Sequence, residues 1–305
     1  MAYDLSNYLV IGISSRALFD LSRENEIYEQ EGLEAYCQYQ LEHENDILKP
    51  GVGFALIEAM LKINEIKEGE RHVEVVIVSR NSADTSLRIS NSIDHYGLDI
   101  SRAAFTGGEP VAKYLGAFDV DLFLSATEED VQAAVESQVA SGLIYEGSAD
   151  QLGKPLEQIR IAFDGDAVLF SEESERIYQE QGLQAFIEHE KRNAQNPLPE
   201  GPFAKLLKTL SYLQFQLDHV VDGPPPIRTA LVTARNSPAH ERVIRTLRAW
   251  DVRIDETFFL GGVPKDRVLA SFKPHIFFDD QHRHCDLASR VVPTARVPTL
   301  KAGND

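Results

Sequence analysis

The chain has 305 residues, 43% hydrophobic and 26% charged, with a formal net charge of −18. That composition is globular, with length for two domains that each bury a core. So acidic a surface repels nucleic-acid phosphates, which excludes a DNA or RNA polymer as partner and leaves an anionic ligand to local positive charge or a metal. Cys37 and Cys285 give no disulfide framework, and no apolar run is long enough to span a bilayer. A cytoplasmic protein without a membrane partner is expected, with a homo-oligomer left open.

In chain order, a short apolar strand is expected over residues 8–13, then acidic helical segments over 24–44 and 54–66. In the latter, Leu56, Ala59, Met60 and Ile63 recur at helical spacing. A β-branched strand over 73–78, a helix over 83–96, a short strand over 103–106, a Gly107-Gly108 turn, a helix and an apolar strand over 122–124 follow. The order then begins again. A strand is expected over 159–163, helices over 172–192 and 203–217, a strand over 229–233, a helix over 238–250 and a strand over 256–260. Gly261-Gly262, a helix and a strand over 276–278 complete it. Leu206, Leu207, Leu210, Leu213 and Leu217 share one face of the second helix. Strands alternating with helices, without hairpin signals, mean a parallel α/β sheet.

The recurrence extends to residues. Leu9–Phe19 aligns with Ile159–Leu169, and Ile27–Leu33 with Ile177–Leu183 at an offset of 150. Arg80-Asn81-Ser82 aligns with Arg235-Asn236-Ser237, and Phe105–Gly108 with Phe259–Gly262. Two copies of one unit are implied, 1–150 and 151–305, with the boundary in 147–155 and 222–226 a loop inside the second. The first copy reads as four residues longer between Tyr36 and Leu41.

In a parallel sheet, ligands bind beyond the carboxyl ends of the strands. There, in the second copy, stand Asp164 and Asp166, Thr233, Lys265 after the Gly-Gly turn, and Asp279-Asp280. Carboxylates so dense repel unless a cation lies among them, and an all-oxygen set suits Mg²⁺. Lysine and threonine add donors for phosphoryl oxygens, the equipment of phosphoryl transfer. Singly each is ordinary: Asp-x-Asp in a loop, Asp-Asp as a helix cap, Thr as a strand end. The first copy is the control. Its aligned residues are Ser14, Arg16, Val78, Val111, Ser125 and Ala126, so scaffold needs do not explain acid, hydroxyl and ammonium.

Phe163–Leu169, Val232–Arg235, Lys265 and Phe277–Asp280 resemble the four motifs of haloacid dehalogenase-superfamily phosphatases. More closely, Phe163–Glu175 and Pro274–Gln281, with Ser14–Asp20, Gln40–Asn45 and Asn91–Tyr96 of the first half, resemble cytosolic type I 5′-nucleotidases. The resemblance runs over almost the whole chain, with a departure at Val78–Ser82, a loop richer in Asn in that family. It implies two Rossmann-like, haloacid dehalogenase-like parallel-sheet domains from an internal duplication, each with a helical insert, the first degenerate and structural or regulatory, the second catalytic. It also implies Mg²⁺-dependent hydrolysis of nucleoside 5′-monophosphates. Asp164 would be the nucleophile that forms an aspartyl-phosphate and Asp166 the acid and base, with its pKa raised. Thr233 and Lys265 would hold the phosphoryl oxygens, and Gly165, Ala234 and Arg235 would face substrate. Asp164, the backbone carbonyl of Asp166, Asp279 and Asp280 would hold the metal, either adjacent acid touching the ion.

Other residues read more plainly. His282, His284 and Cys285 make a poor zinc pattern and suit a polar helix start better. Arg235 aligns with Arg80, so a structural role in the turn weighs equally with a ligand role. Glu172, Glu173 and Glu175 suit a helix start behind Ser171. Tyr178, Phe186 and Phe203 in the insert suit core better than a base-stacking surface. Arg16 either fills the vacant acid position or binds a nucleotide effector, and the first needs nothing new. The rival functions are a phosphatase or phosphotransferase for another small ester, and a non-catalytic nucleotide-binding regulator.

Overall fold

β-Branched runs between amphipathic helices fold here as strands and covering layers, in a computed structural model that describes residues 4–5, 7–67, 69–145, 158–218 and 223–299. The boundary expected at 147–155 lies outside the described residues. The chain divides into two compact units, Met1–Val139 and Ala140–Asp305.

The first unit runs β1 (Leu9–Ile13), α1 (Ser15–Leu18), β2 (Phe19–Asp20), α2 (Ser22–Glu31), α3 (Leu33–Glu42), β3 (Lys49–Pro50) and α4 (Phe54–Lys62). It continues β4 (Val73–Ser79), α5 (Leu87–His95), β5 (Arg102–Phe105), α6 (Ala112–Leu115), β6 (Leu122–Ser125) and α7 (Glu128–Glu136). Its sheet has the order β6-β1-β4-β5, all parallel. The two-residue strands β2 and β3 pair antiparallel apart from it.

The second unit runs β7 (Ala140–Ile144), β8 (Ile159–Phe163), α8 (Glu173–Arg192), α9 (Ala204–Leu217), β9 (Ile227–Thr233) and α10 (His240–Ala249). It continues β10 (Glu256–Phe259), α11 (Lys265–Phe272), β11 (Ile276–Asp279), α12 (His282–Ala288) and β12 (Thr294–Arg296). Its order is β10-β9-β8-β11-β12-β7. Neighbours are parallel except β7, which runs antiparallel to β12. The antiparallel edge departs from the all-parallel expectation. Its strands are short and weakly apolar, and Gly142 admits the close approach: a Cβ there would lie 2.8 Å from the Ala295 Cβ. The strands expected in both units appear within a residue or two, and the expected leucine face of α9 is buried.

Apolar burial holds these layers together, at roughly 1.5–3 kcal/mol for each large side chain withdrawn from water. Under the second sheet, Phe163, Phe203 and Phe278 interlock, with ring centroids 4.7 Å apart for Phe203–Phe278 and 5.6 Å for Phe163–Phe278. Phe203 is therefore core. In the first unit Val10, Val76, Val78 and Phe123 are fully buried in one cluster.

The same local devices recur at matched places. Gly32 (φ 89°) breaks the expected 24–44 helix into α2 and α3, and Gly182 (φ 82°) kinks α8 at the same offset of 150. Leu48 N donates to Ser92 Oγ at 3.0 Å, as Leu198 N does to Thr246 Oγ1 at 2.8 Å. Because the offset is still 150 at Leu48 and Leu198, the first unit has no insertion between Tyr36 and Leu41. The additional residues belong to the second unit, between α9 and β9, around the expected loop at 222–226.

Gly201 fixes the entry into α9. A Cβ there would collide with backbone, the Val168 carbonyl oxygen lying 2.6 Å away and that of Phe170 closer still. Gly201→Ala should therefore lower stability by about 1–3 kcal/mol in denaturant unfolding. An unchanged unfolding midpoint would show that the turn yields freely.

Candidate active site

Strand order locates the site. From β8 the chain moves one way to β9 and β10, then returns to β11 and β12, and ligands occupy the carboxyl ends of strands at such a reversal. Asp164 directly follows β8, and Asp279 is the last residue of β11. Register places Phe163 beside Phe278, and Asp164 N donates to the Phe278 carbonyl at 2.8 Å. The two carboxylates thus become neighbours across the switch point.

Lys265, first residue of α11, sends its ammonium between them, 2.8 Å from Asp164 Oδ1 and 2.6 Å from Asp279 Oδ2. All three are almost fully buried. Burial raises the Asp164 carboxyl to about 7, with Lys265 opposing and Asp279 adding repulsion. Burial would raise Asp279 too, but Lys265 and then His284 outweigh it and hold that carboxyl below its ordinary range. Lys265 itself is desolvated, yet Asp164 and Asp279 raise its pKa.

The Asp166 charge adds to the repulsion on Asp164. Arg235 grips Asp166 with two parallel hydrogen bonds, Nε to Oδ2 at 2.8 Å and a terminal nitrogen to Oδ1 at 2.6 Å. The other terminal nitrogen donates to Glu190 Oε2 at 2.5 Å, and the guanidinium lies 5.5 Å from the Phe186 ring centroid. Arg235 is therefore turned inward, its side chain only 2% exposed. Glu190 is fully buried and accepts Arg242 at 3.0 Å and Ser174 Oγ at 2.9 Å on Oε1. Thr233 is buried at the end of β9 and its Oγ1 accepts Arg235 N at 3.2 Å, while Ala234 is exposed. A Cβ on Gly165 would meet Thr233 Oγ1 at 3.4 Å, an ordinary contact.

The donor chemistry fits a hard divalent cation. Among the described residues, Asp164, Asp279 and His284 offer one ligand atom each, all within 4.8 Å of one another. Beside them the half-buried Asp280 has a buried Oδ1 without a hydrogen-bond partner. Burial, then repulsion from Asp164 and Asp279, raises its carboxyl to about 8. Buried oxygens lacking partners, next to further carboxylates, are relieved by a cation. The Asp166 carboxylate, held by Arg235, stands outside that group. His282 hydrogen-bonds Tyr145 instead, Cys285 donates to the Asp279 carbonyl, and both cysteines are free, so the zinc pattern is not assembled among the described residues.

The first unit is chemically quiet at the matching place. There Asn81 Oδ1 accepts Ser15 Oγ and Ser79 Oγ, both at 2.7 Å, and Asn81 Nδ2 donates to Tyr36 OH at 2.7 Å. Strand pairing also corrects the alignment. β4 and β9 both span seven residues, and Ser79 pairs with Phe105 as Thr233 pairs with Phe259. Ser79, not Val78, therefore matches Thr233, and Asn81, not Arg80, matches Arg235. Arg80 instead grips Asp130 of α7. Sequence reasoning missed Glu190 and the approach of His284 to Asp279. Glu190 stands opposite Gln40, the very acid-in-one-copy contrast that marked Asp164.

The family described as 5'-nucleotidase matches residues 1–304. Cytosolic 5'-nucleotidase 1B of Homo sapiens is 40% identical over 292 residues, which are 93% of this chain and 48% of that protein. The chain thus spans about half the length of that relative. A solved histidinol dehydrogenase from Elizabethkingia anophelis aligns over 98% of this chain and 85% of its own with a TM-score of 0.22 at 9% identity, and carries no argument.

The raised Asp280 carboxyl sets a pH dependence. Folded, it keeps its proton to about 8, whereas unfolded it releases it near 3.8, so stability declines as pH rises through that window. In EDTA, Asp280→Asn should melt increasingly above wild type as pH approaches about 8, and converge with it near about pH 4. Thermal melts with parallel pH slopes would refute the burial of that charge.

Proposed function

The chain belongs to the 5′-nucleotidase family, and from that premise we propose that it is a Mg²⁺-dependent phosphohydrolase of nucleoside 5′-monophosphates acting through an aspartyl-phosphate. The observation that carries this reading is the Lys265 ammonium lodged between Asp164 and Asp279 at the sheet's switch point. The relative's name supports both the activity and a cytosolic setting, and among the described residues no helix is long and apolar enough to cross a membrane. Matched devices such as Gly32 and Gly182 support two Rossmann-like, haloacid dehalogenase-like domains from a duplication, the second catalytic.

Asp164 attacks phosphorus through one carboxylate oxygen while the bond to the 5′-oxygen breaks. Lys265 fixes the other oxygen and screens the incoming phosphate from Asp279. Asp166 takes up a proton from solvent on a lone pair that Arg235 leaves free, delivers it to the departing 5′-oxygen, and then receives one from the water that cleaves the phosphoryl group from Asp164. Thr233 Oγ and the backbone N–H groups around Gly165 and Ala234 donate to phosphoryl oxygens. The metal would be held by Asp164 and Asp279, with Asp280 and His284 adjacent. When bound it supplies charge neutralisation for the phosphoryl group.

Phosphate release from a panel of nucleoside monophosphates, sugar phosphates and simple esters, with Mg²⁺ and then EDTA, tests the reading. Nucleotides should be preferred, and EDTA should abolish turnover. Asp164→Asn should lose at least about a thousandfold in kcat while keeping the wild-type circular dichroism spectrum. Turnover retained by that variant refutes the nucleophile, and equal rates on all esters refute the nucleotide preference.

A further inference from the structure

We propose that Glu190 is a positioning residue for the reaction: through Arg235 it aims the Asp166 carboxylate. The inference rests on the phosphohydrolase reading above and extends it to a residue outside the motifs.

Four alternating charges form one chain. Asp166 is held bidentately by Arg235, Arg235 by Glu190 Oε2, and Glu190 Oε1 by Arg242 of α10. Asp166 is the exposed end, with a side chain 15% accessible, while Glu190 inside the chain is closed off at 0% and Arg242 at the far end is 4% accessible. A charge so deeply buried needs compensation on each oxygen, and here both are engaged. The chain therefore ties the acid on a loop to two packed helices, α8 and α10, the arrangement that fixes a catalytic rotamer.

The first unit shows what the scaffold alone requires. Its α5 buries Arg88 at the position of Arg242, each Nε donating to the preceding connection, to the Asp46 carbonyl at 2.8 Å and the Asn196 carbonyl at 2.9 Å. Arg88 is neutralised by Glu24, at the position of Ser174, while Gln40 stands at the position of Glu190 and accepts a hydrogen bond at 3.3 Å. At this arginine, Arg88 or Arg242, one buried acid suffices in either unit. Only in the second does that acid sit at the inner end of the hairpin, where it reaches a second arginine. The three residues of the relay, Asp166, Arg235 and Glu190, are Arg16, Asn81 and Gln40 in the first. They are present together or absent together.

The molecule supplies its own control variant. Glu190→Gln alone strips Arg242 and Arg235 and should lower the melting temperature. Adding Ser174→Glu rebuilds the Glu24–Gln40 arrangement, which should return compensation to Arg242 but not to Arg235. Single-turnover leaving-group release is then compared for adenosine 5′-monophosphate, whose 5′-oxygen needs a proton, and p-nitrophenyl phosphate, whose phenolate does not. In the double variant, nucleoside release should fall by at least about tenfold and nitrophenol release by less than about twofold. Both esters sample the same folded fraction, so the ratio decides even if stability is not fully recovered. Equal loss on both esters, or no loss on either, overturns the positioning role. Wild-type protein that releases neither leaving group overturns the phosphohydrolase reading and this inference together.

Discussion

One buried ammonium allows the site to exist. Asp164 and Asp279 come within reach of each other because β8 and β11 are adjacent, and no sheet of this order can separate them. Two desolvated carboxylates so close are mutually destabilising unless a cation intervenes. Lys265, the first residue of α11, is that cation. The compensation is uneven. Lys265 satisfies Asp279 and leaves Asp164 with a raised carboxyl, while Asp280 beside them has a buried oxygen without a partner. Positive charge is short at one point, beside Asp164 and Asp280.

Much of this was legible because the chain carries its own comparison. Asp164, Lys265 and Asp279 align in sequence with Ser14, Val111 and Ser125 of the first unit, and nothing about a strand end or a helix start demands an acid or an amine. The strands themselves followed from β-branched runs, whose burial on both faces forbids alternation. Other parts were hidden for physical reasons. Arg-Asn-Ser occurs in both units, so it aligned by letter, yet strand pairing places the two occurrences one residue apart. A one-residue slip is invisible to composition but moves every side chain to another surface. β7 was hidden because Ala140-Ser141-Gly142 has little β propensity, and its pairing depends on the missing side chain of Gly142. Glu190 was hidden among Glu180, Glu188 and other acids of an amphipathic insert, where only burial distinguishes the one that matters.

The corrected register changes what the first unit says. With Arg80 as its counterpart, Arg235 looked like part of the turn. With Asn81 there instead, the place is filled by an amide that joins Ser15, Ser79 and Tyr36 in a neutral, mutually satisfied set. Where the second unit has Asp164, Asp279, Glu190 and Arg235, the first has the hydroxyls and amides of Ser14, Ser125, Gln40 and Asn81, while Val111, Ala126 and Arg16 stand at the places of Lys265, Asp280 and Asp166. Neutral groups that bond each other have no need of a cation or an anion, so that place can be rigid without a ligand.

The helical insert shows how little separates the two outcomes. In each unit a glycine with φ near +85° folds the helix back on itself, so that residues sixteen apart meet around a buried arginine of α5 or α10. Such an arginine must find an acid, because an unpaired guanidinium out of water is far costlier than the pair. Geometry offers two positions for that acid, one on each arm of the bend. On the outer arm, as Glu24, it serves Arg88 alone. On the inner arm, as Glu190, its second oxygen turns toward the carboxyl ends of the strands and reaches Arg235. The same folding requirement is met either way, and the choice of arm decides whether the insert is merely packed against the sheet or joined electrostatically to the loop that holds Asp166.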